Sequence, residues 1–335
     1  MTMQQKQMKK GSWQPYVGDE LSWSQMLGSF PNKGYLNDVL WSKHLSNLGW
    51  RCCRWEFLKS EKSKAYCQSF LKLYPFKIGV LLIPDGIIGD YEFIRTLQDD
   101  IRRNLNLHFC YIRIHDCQSF NVDDHLKILV AGWTKPSNSF GGAPLTMILD
   151  ISGSIEQVRG RLSKNWRRVL KKSSNVPRNI VEIKDPTAVA DLYLELKTSK
   201  SLKSSQIFSE SIITSLMQVF EGKLIVLGAM DLEGNLVAIR GAICLNGFAT
   251  DTFAATNSAG RSLSASHAVL MALIERCQEQ GCSTYDLNGI DPANSMGVYN
   301  FKKGTGAEAK ASLGQFEQSN SKVLKYAINF LSMYR

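Results

Sequence analysis

Apolar positions along this chain repeat with two different periods. Over 91–106, Phe93, Ile94, Leu97, Ile101 and Leu105 recur every three or four residues, the spacing of one helix face. Similar spacing predicts helices over 37–48, 154–173, 186–199, 210–220, 263–280 and 322–333. Short apolar runs bounded by turn residues predict strands at 51–57, 76–83, 109–114, 128–133 and 145–151. A second set is predicted at 180–183, 223–230, 236–245, 248–255 and 284–287. Ile83-Pro84-Asp85-Gly86 closes one strand, and Glu233-Gly234-Asn235 and Asn246-Gly247 read as hairpin turns. Residues 134–144, rich in Pro, Ser and Gly, read as a loop.

Each half thus places helices before mostly antiparallel strands, then a helix and a further strand. That order predicts an α+β fold built from duplicated domains, although the halves share no visible repeat in identity. A length of 335 residues suits two domains. The expected division is a flexible N-terminus at 1–12, one domain at 13–150 and another at 151–335, with the C-terminal helix free to pack back on the first.

Composition narrows the class. Apolar residues make up 44%, which excludes a disordered chain. A net charge of +10 points to an anionic partner: nucleic acid, a membrane surface or a phosphorylated substrate. The eight cysteines show neither zinc-site nor CxxC spacing. There is no apolar leader after the polar start and no run of eighteen apolar residues, so a reduced, cytoplasmic protein is expected. Its charge still allows peripheral contact with the inner face of the membrane.

Three segments carry candidate chemistry. Residues 285–306, YDLNGIDPANSMGVYNFKKGTG, read as a strand end, two turns, a loop and paired lysines, an arrangement that delivers groups to a cleft. Residues 161–178 hold seven cations and no acid, with Leu162, Trp166, Val169 and Leu170 as the buried stripe. Lys164, Arg167, Arg168, Lys171 and Lys172 spread over the other faces, a one-sign surface suited to an RNA backbone or a diphosphate. A small-residue loop around Arg261 precedes an apolar helix, and the amides at such a helix start can hold anions. GNAT-type acyltransferases cradle a CoA pyrophosphate on a comparable loop, which 261–265 approximates without its glycines. Five histidines are dispersed outside any motif, and no Walker loop, HExxH or GxSxG occurs. His267 reads as a structural helix residue.

The 285–308 segment resembles the ending of the Fem-type (FemABX) peptidyltransferases, which move an amino acid from aminoacyl-tRNA onto an amine of a peptidoglycan precursor. Four more segments resemble the family in order: Tyr35 to Trp41 with Leu48-Gly49-Trp50, Val80 to Asp90, LSKNWRRVLKKS, and 236–281. Together they span about 290 residues. The resemblance implies two tandem GNAT-like domains, without the coiled-coil insertion of larger members. It implies no bound cofactor, with aminoacyl-tRNA as donor substrate and tRNA and a cell-envelope amine as partners. Lys302 and Phe301 then fall in the catalytic motif, and Lys302 would meet charge developing on the ester carbonyl. Tyr111 and Asp116 match a strand-end Tyr and Asp, with Asp116 a catalytic candidate and Tyr111 a substrate-binding one. Lys43 matches a lysine that holds substrate phosphate; Asp286 and Tyr299 are further substrate-binding candidates. Lys164, Arg167, Arg168, Lys171, Lys172 and Arg261 would hold phosphates of tRNA or precursor. Phe208 and Phe253 stand where the family has polar substrate-binding groups, which leaves the acceptor open. The main alternative is acyl-CoA-dependent N-acylation in surface-polysaccharide or cell-envelope synthesis. A non-catalytic RNA- or membrane-binding module is disfavoured, because electrostatic binding alone needs no such terminal motif.

Overall fold

A computed structural model describes residues 11–30, 34–60, 62–137, 144–174, 179–200 and 208–333. Most of the expected flexible N-terminus, and most of the loop expected at 134–144, lie outside these residues. The chain forms two compact units, Met1–Pro144 with Ala311–Arg335, and Leu145–Lys310.

In the first unit, Ser12–Pro15, Arg51–Lys59, Lys62–Tyr74 and Ile78–Ile83 pair in that order as antiparallel strands. Ile78–Ile83 then pairs in parallel with Phe109–Ser119, register Ile78 to Phe109. A parallel pair needs a crossover, and the 3-10 turn Tyr91–Thr96 and helix Leu97–Asn104 supply it. Asp90 caps the turn through the Glu92 amide, and Leu97 and Ile101 bury its apolar side. A sixth strand, Glu308–Ser319, pairs antiparallel with Phe109–Ser119. Trp13, Trp55, Ile94, Ile112, Trp133 and Phe316 lie in the core of this unit.

The second unit repeats this order. Asn179–Glu182, Leu224–Met230, Leu236–Leu245 and Phe248–Thr256 are successive antiparallel neighbours. Phe248–Thr256 pairs in parallel with Thr284–Gly289 across helix Ala265–Glu279. Leu145–Asp150 closes the row antiparallel to Thr284–Gly289. Duplication, read from element order alone, therefore appears as one topology formed twice. The sixth strand precedes the other five in the second unit and follows the other five in the first.

The differences from expectation have local causes. The predicted strand at 128–133 is the end of helix Val122–Val130, capped by Asn121, whose side chain accepts from Asp123 and Asp124 amides. Strands Lys62–Tyr74 and Glu308–Ser319 escaped prediction because both bury polar side chains, Gln68 and Ser69 in one and Gln315 and Glu317 in the other. The helix predicted at 154–173 is two helices, Ile155–Arg161 and Lys164–Ser174, broken where Leu162 turns to ψ 139°. The units divide at 144/145 rather than 150/151, and 311–335 belong to the first unit, including helix Lys322–Met333. No helix among the described residues is long and apolar enough to cross a membrane.

Buried ions hold the closing strand of the first unit. Arg113 Nη2 lies 3.3 Å from Glu317 Oε2 and donates to Asn329 Oδ1 at 2.7 Å. Asn329 Nδ2 in turn donates to Glu317, and Tyr111 donates its hydroxyl to Glu317 at 2.7 Å. Every member is buried, so the charges are compensated by specific bonds rather than by water.

Candidate active site

The terminal motif is built on a strand end and a short helix of the second unit. Strand Thr284–Gly289 is bent near its end at Asn288, whose φ of 65° puts it in the left-handed region that Asn tolerates. Asn288 is held there by its Nδ2, which donates to the Asp251 carbonyl at 3.0 Å. This conformation presents two carbonyls to one ammonium: Lys302 Nζ donates to Asn288 O at 3.1 Å and Gly289 O at 2.8 Å. Lys302 lies on helix Met296–Lys303, which the sequence reading left as a loop. Ser295 offers that helix no side-chain cap, and Gly297 weakens its helical signal.

Lys302 is buried, and its ammonium has three hydrogens. Two of them meet the carbonyls of Asn288 and Gly289. Burial, with Arg240 adding and Asp251 and Asp286 opposing, brings its pKa down to about 8. Asp286 accepts from the Thr146 hydroxyl and, at 2.7 Å, from the Asn288 amide. Its pKa is raised, mainly by burial.

Under this motif lies an ion pair that the sequence reading did not single out. Arg240 donates from Nε and Nη2 to the two oxygens of Asp251, both at 2.8 Å. The residues are 5% and 6% exposed. Burial works against the Arg240 charge, but Asp251 more than offsets it and holds its pKa above the usual range. Tyr285 donates to Asp251 Oδ1 at 3.2 Å, and burial with that carboxylate pushes its pKa well up. A lone Arg inside the apolar run LVAIRGAICL was the available signal, since a charge in a buried strand demands a partner.

The basic helix meets the motif directly. Trp166 Nε1 donates to Phe301 O at 3.0 Å, and Ser163 N to Gly304 O at 2.8 Å. The Phe301 ring lies 5.7 Å from Trp166 and 5.0 Å from His267, with the Arg240 guanidinium 5.4 Å from its centroid. Gly304 permits this approach, because a Cβ there would stand 2.5 Å from Trp166 Cδ1. Phe301, expected in the catalytic motif, is thus placed as a packing wedge that fixes Lys302. His267 is held neutral, its pKa lowered to about 4 by burial and by Arg240. Tyr299 is half-buried, with Lys303 Nζ 5.5 Å from its ring centroid. Lys164, Arg167, Arg168, Lys171 and Lys172 are all exposed on the helix that carries Trp166. Arg261 is exposed on helix Ser258–Ser262, and its Nη1 donates to Thr256 O at 2.8 Å.

The remaining candidates belong to the first unit. Asp116 is fully buried; it accepts from the Tyr91 hydroxyl and, at 3.0 Å, from the Gln118 amide. Asp116, a catalytic candidate by resemblance, is thus enclosed by its own hydrogen bonds in this structure. Gly86, at φ 67°, covers it: a Cβ there would overlap Asp116 Oδ2. Gly86→Ala should therefore lower stability by about 1–3 kcal/mol, read as a shifted urea midpoint. Tyr111 also departs from its expected substrate role, because its hydroxyl is engaged by Glu317 and Arg113. Lys43 lines an open cleft of about 390 Å³ with Tyr16, Ser42, Ser46 and Arg54, and pairs with Glu20 at 3.2 Å. Among the described residues no cluster of His, Cys, Asp or Glu could hold a metal.

A four-strand antiparallel run, a helical crossover to a parallel neighbour and a sixth strand, formed twice, define a tandem GNAT-like fold. Residues 230–333 match the FemAB family. Among solved structures, FemX superposes with TM-score 0.76 at 14% identity, covering 94% of this chain and 100% of that one. A tandem GNAT protein from the clavulanic acid biosynthesis pathway gives 0.61 at 11%, covering 93% and 99%. L-PGS from Bacillus licheniformis gives 0.54 at 14%, covering 95% and 98%. No curated protein sequence matches.

Proposed function

We propose that this protein is an aminoacyltransferase that moves an amino acid from aminoacyl-tRNA to an amine of a peptidoglycan precursor. The observation that carries the reading is Lys302, a buried ammonium with two hydrogens fixed on carbonyls, set in the Fem-type motif beside a wholly basic helix. An aminoacyl ester is already activated. The acceptor amine attacks its carbonyl carbon, the carbonyl oxygen becomes an oxyanion, and the tetrahedral intermediate collapses to an amide and the free tRNA hydroxyl. Such a reaction needs positioning and charge stabilisation rather than a nucleophilic residue. The third hydrogen of Lys302 would meet that oxyanion. Nearby, the Lys164–Ser174 helix supplies cations for the donor's phosphates, and Lys43 and Arg54 offer a phosphate subsite in the first unit.

The deciding assay offers purified protein labelled aminoacyl-tRNA or labelled acetyl-CoA with a set of peptidoglycan precursors. Label should move from the tRNA; transfer from CoA alone would overturn the reading. Replacing Lys164, Arg167 and Arg168 with Gln should weaken tRNA binding about tenfold or more at low salt and flatten its salt dependence. Unchanged affinity and slope would remove this helix from the donor site.

A further inference from the structure

Three segments of the first unit meet at one end of its sheet. The hairpin turn between Lys62–Tyr74 and Ile78–Ile83 is joined to the start of Phe109–Ser119 by the His108 amide, which donates to Lys77 O at 2.9 Å. Asn320, just before helix Lys322–Met333, donates to His108 O at 2.9 Å and accepts from the Cys110 amide at 2.8 Å. This end of the sheet exposes apolar side chains that nothing in the unit covers: Leu73 57%, Tyr74 48%, Phe76 83%, Phe109 43%, Val323 80% and Tyr326 76% exposed.

Two features show that these side chains are held outward. Phe76 and Lys77 both have positive φ, 62° and 55°, a strained conformation for two successive residues with side chains, and it leaves Phe76 the most exposed ring in the unit. Helix Lys322–Met333 carries apolar side chains on both sides, with Leu324 and Ile328 half-buried. Its polar Lys325 and Asn329 face inward to Glu317, while Val323, Tyr326 and Leu331 face out. Surface helices of soluble proteins keep their apolar stripe on the inward side.

The charge at this end is net positive. Arg102 and Arg103 pair with Asp99 and Asp100, and Lys325 with Glu317, while Lys72, Lys77 and Lys322 add cations from segments 72–77 and 320–326, which contain no Asp or Glu. Exposed aromatic and aliphatic side chains ringed by lysines suit a surface that is apolar below and anionic above. A second copy of the chain would bring the same cations together, and a hydrophobic protein partner would not need them.

We propose that this end of the first unit is a membrane-docking surface for anionic phospholipid, with Phe76 and Val323 entering the acyl boundary and the lysines meeting headgroups. It places the enzyme on a bilayer, and it is independent of whether the transferred group comes from tRNA. The test is co-sedimentation of the full chain with vesicles of phosphatidylcholine containing phosphatidylglycerol, and with pure phosphatidylcholine vesicles. Binding should be at least tenfold tighter to the anionic vesicles and should weaken with salt. Phe76→Ser with Val323→Ser should lower it a further tenfold or more, while circular dichroism and aminoacyl transfer to a soluble acceptor stay unchanged. Lys77→Gln with Lys322→Gln should remove most of the anionic preference, giving a second reading if the first variant misfolds. Equal binding to both vesicle types, no binding at low salt, or a patch variant that instead dissociates a dimer in size-exclusion chromatography would overturn the proposal. A wild-type chain that transfers but binds no anionic vesicles would overturn this surface alone, and a wild-type chain that binds them but transfers nothing from aminoacyl-tRNA would overturn the aminoacyltransferase reading alone.

Discussion

Lys302→Met should slow aminoacyl transfer by about 10²–10³-fold, the usual loss when one donor to a developing oxyanion is removed. Circular dichroism should show the fold retained, because methionine is close to the lysine stem in length and volume and suits a buried position. The pH profile makes the test specific. The ammonium loses its proton near pH 8, so the wild-type rate should fall as the pH passes that value. The residual rate of the variant should lack this limb. Stability has the opposite sign. Between about 8 and 10.5 the unfolded lysine holds a proton that the folded one has released, so this group makes the protein more stable as pH rises. A rate that falls above pH 8 while the fold tightens would separate loss of the catalytic charge from unfolding. A wild-type rate flat to pH 10 would remove Lys302 from the chemistry.

Asp251→Ala should cost about 3–5 kcal/mol, the expected penalty for leaving a buried partner charge alone. Arg240 would lose both its bonds and Tyr285 its acceptor. The measurement is a denaturant midpoint, with the double variant Arg240→Met, Asp251→Leu beside it. If the loss comes from the stranded guanidinium, the double variant should recover most of it. A single variant within about 0.5 kcal/mol of wild type would show that the pair is not enclosed as described.

Element type was legible wherever the apolar pattern was undisturbed. Leu236–Leu245 was read with its observed bounds because an apolar run sits between two Gly-Asn turns, and Lys322–Met333 because its helical spacing is regular. That regularity gave no warning that the helix also exposes apolar side chains, since spacing says which residues share a side and not which side is covered. Lys62–Tyr74 and Glu308–Ser319 were illegible for the converse reason, because their inward positions hold polar groups that only distant partners make tolerable. Glu317 is legible as a core residue only once Arg113, two hundred residues away, is beside it. At the site, the motif and the basic helix were each visible in sequence. Their junction through Trp166, Phe301 and Gly304 was not, since it depends on a ring and a glycine meeting across 135 residues. Asp116 and Tyr111 were found as residue types at a strand end, but strand-end placement does not reveal that their polar atoms are already engaged.

The return of 311–335 to the first unit has a consequence for the order in which the protein is made. A ribosome delivers the whole second unit before the strand that completes the first. Until residue 319 has emerged, Phe109–Ser119 lacks one neighbour, and Arg113 waits without Glu317 or Asn329. The earlier part of the chain is therefore the later to finish, and during synthesis the first unit carries an open strand edge that invites wrong pairing.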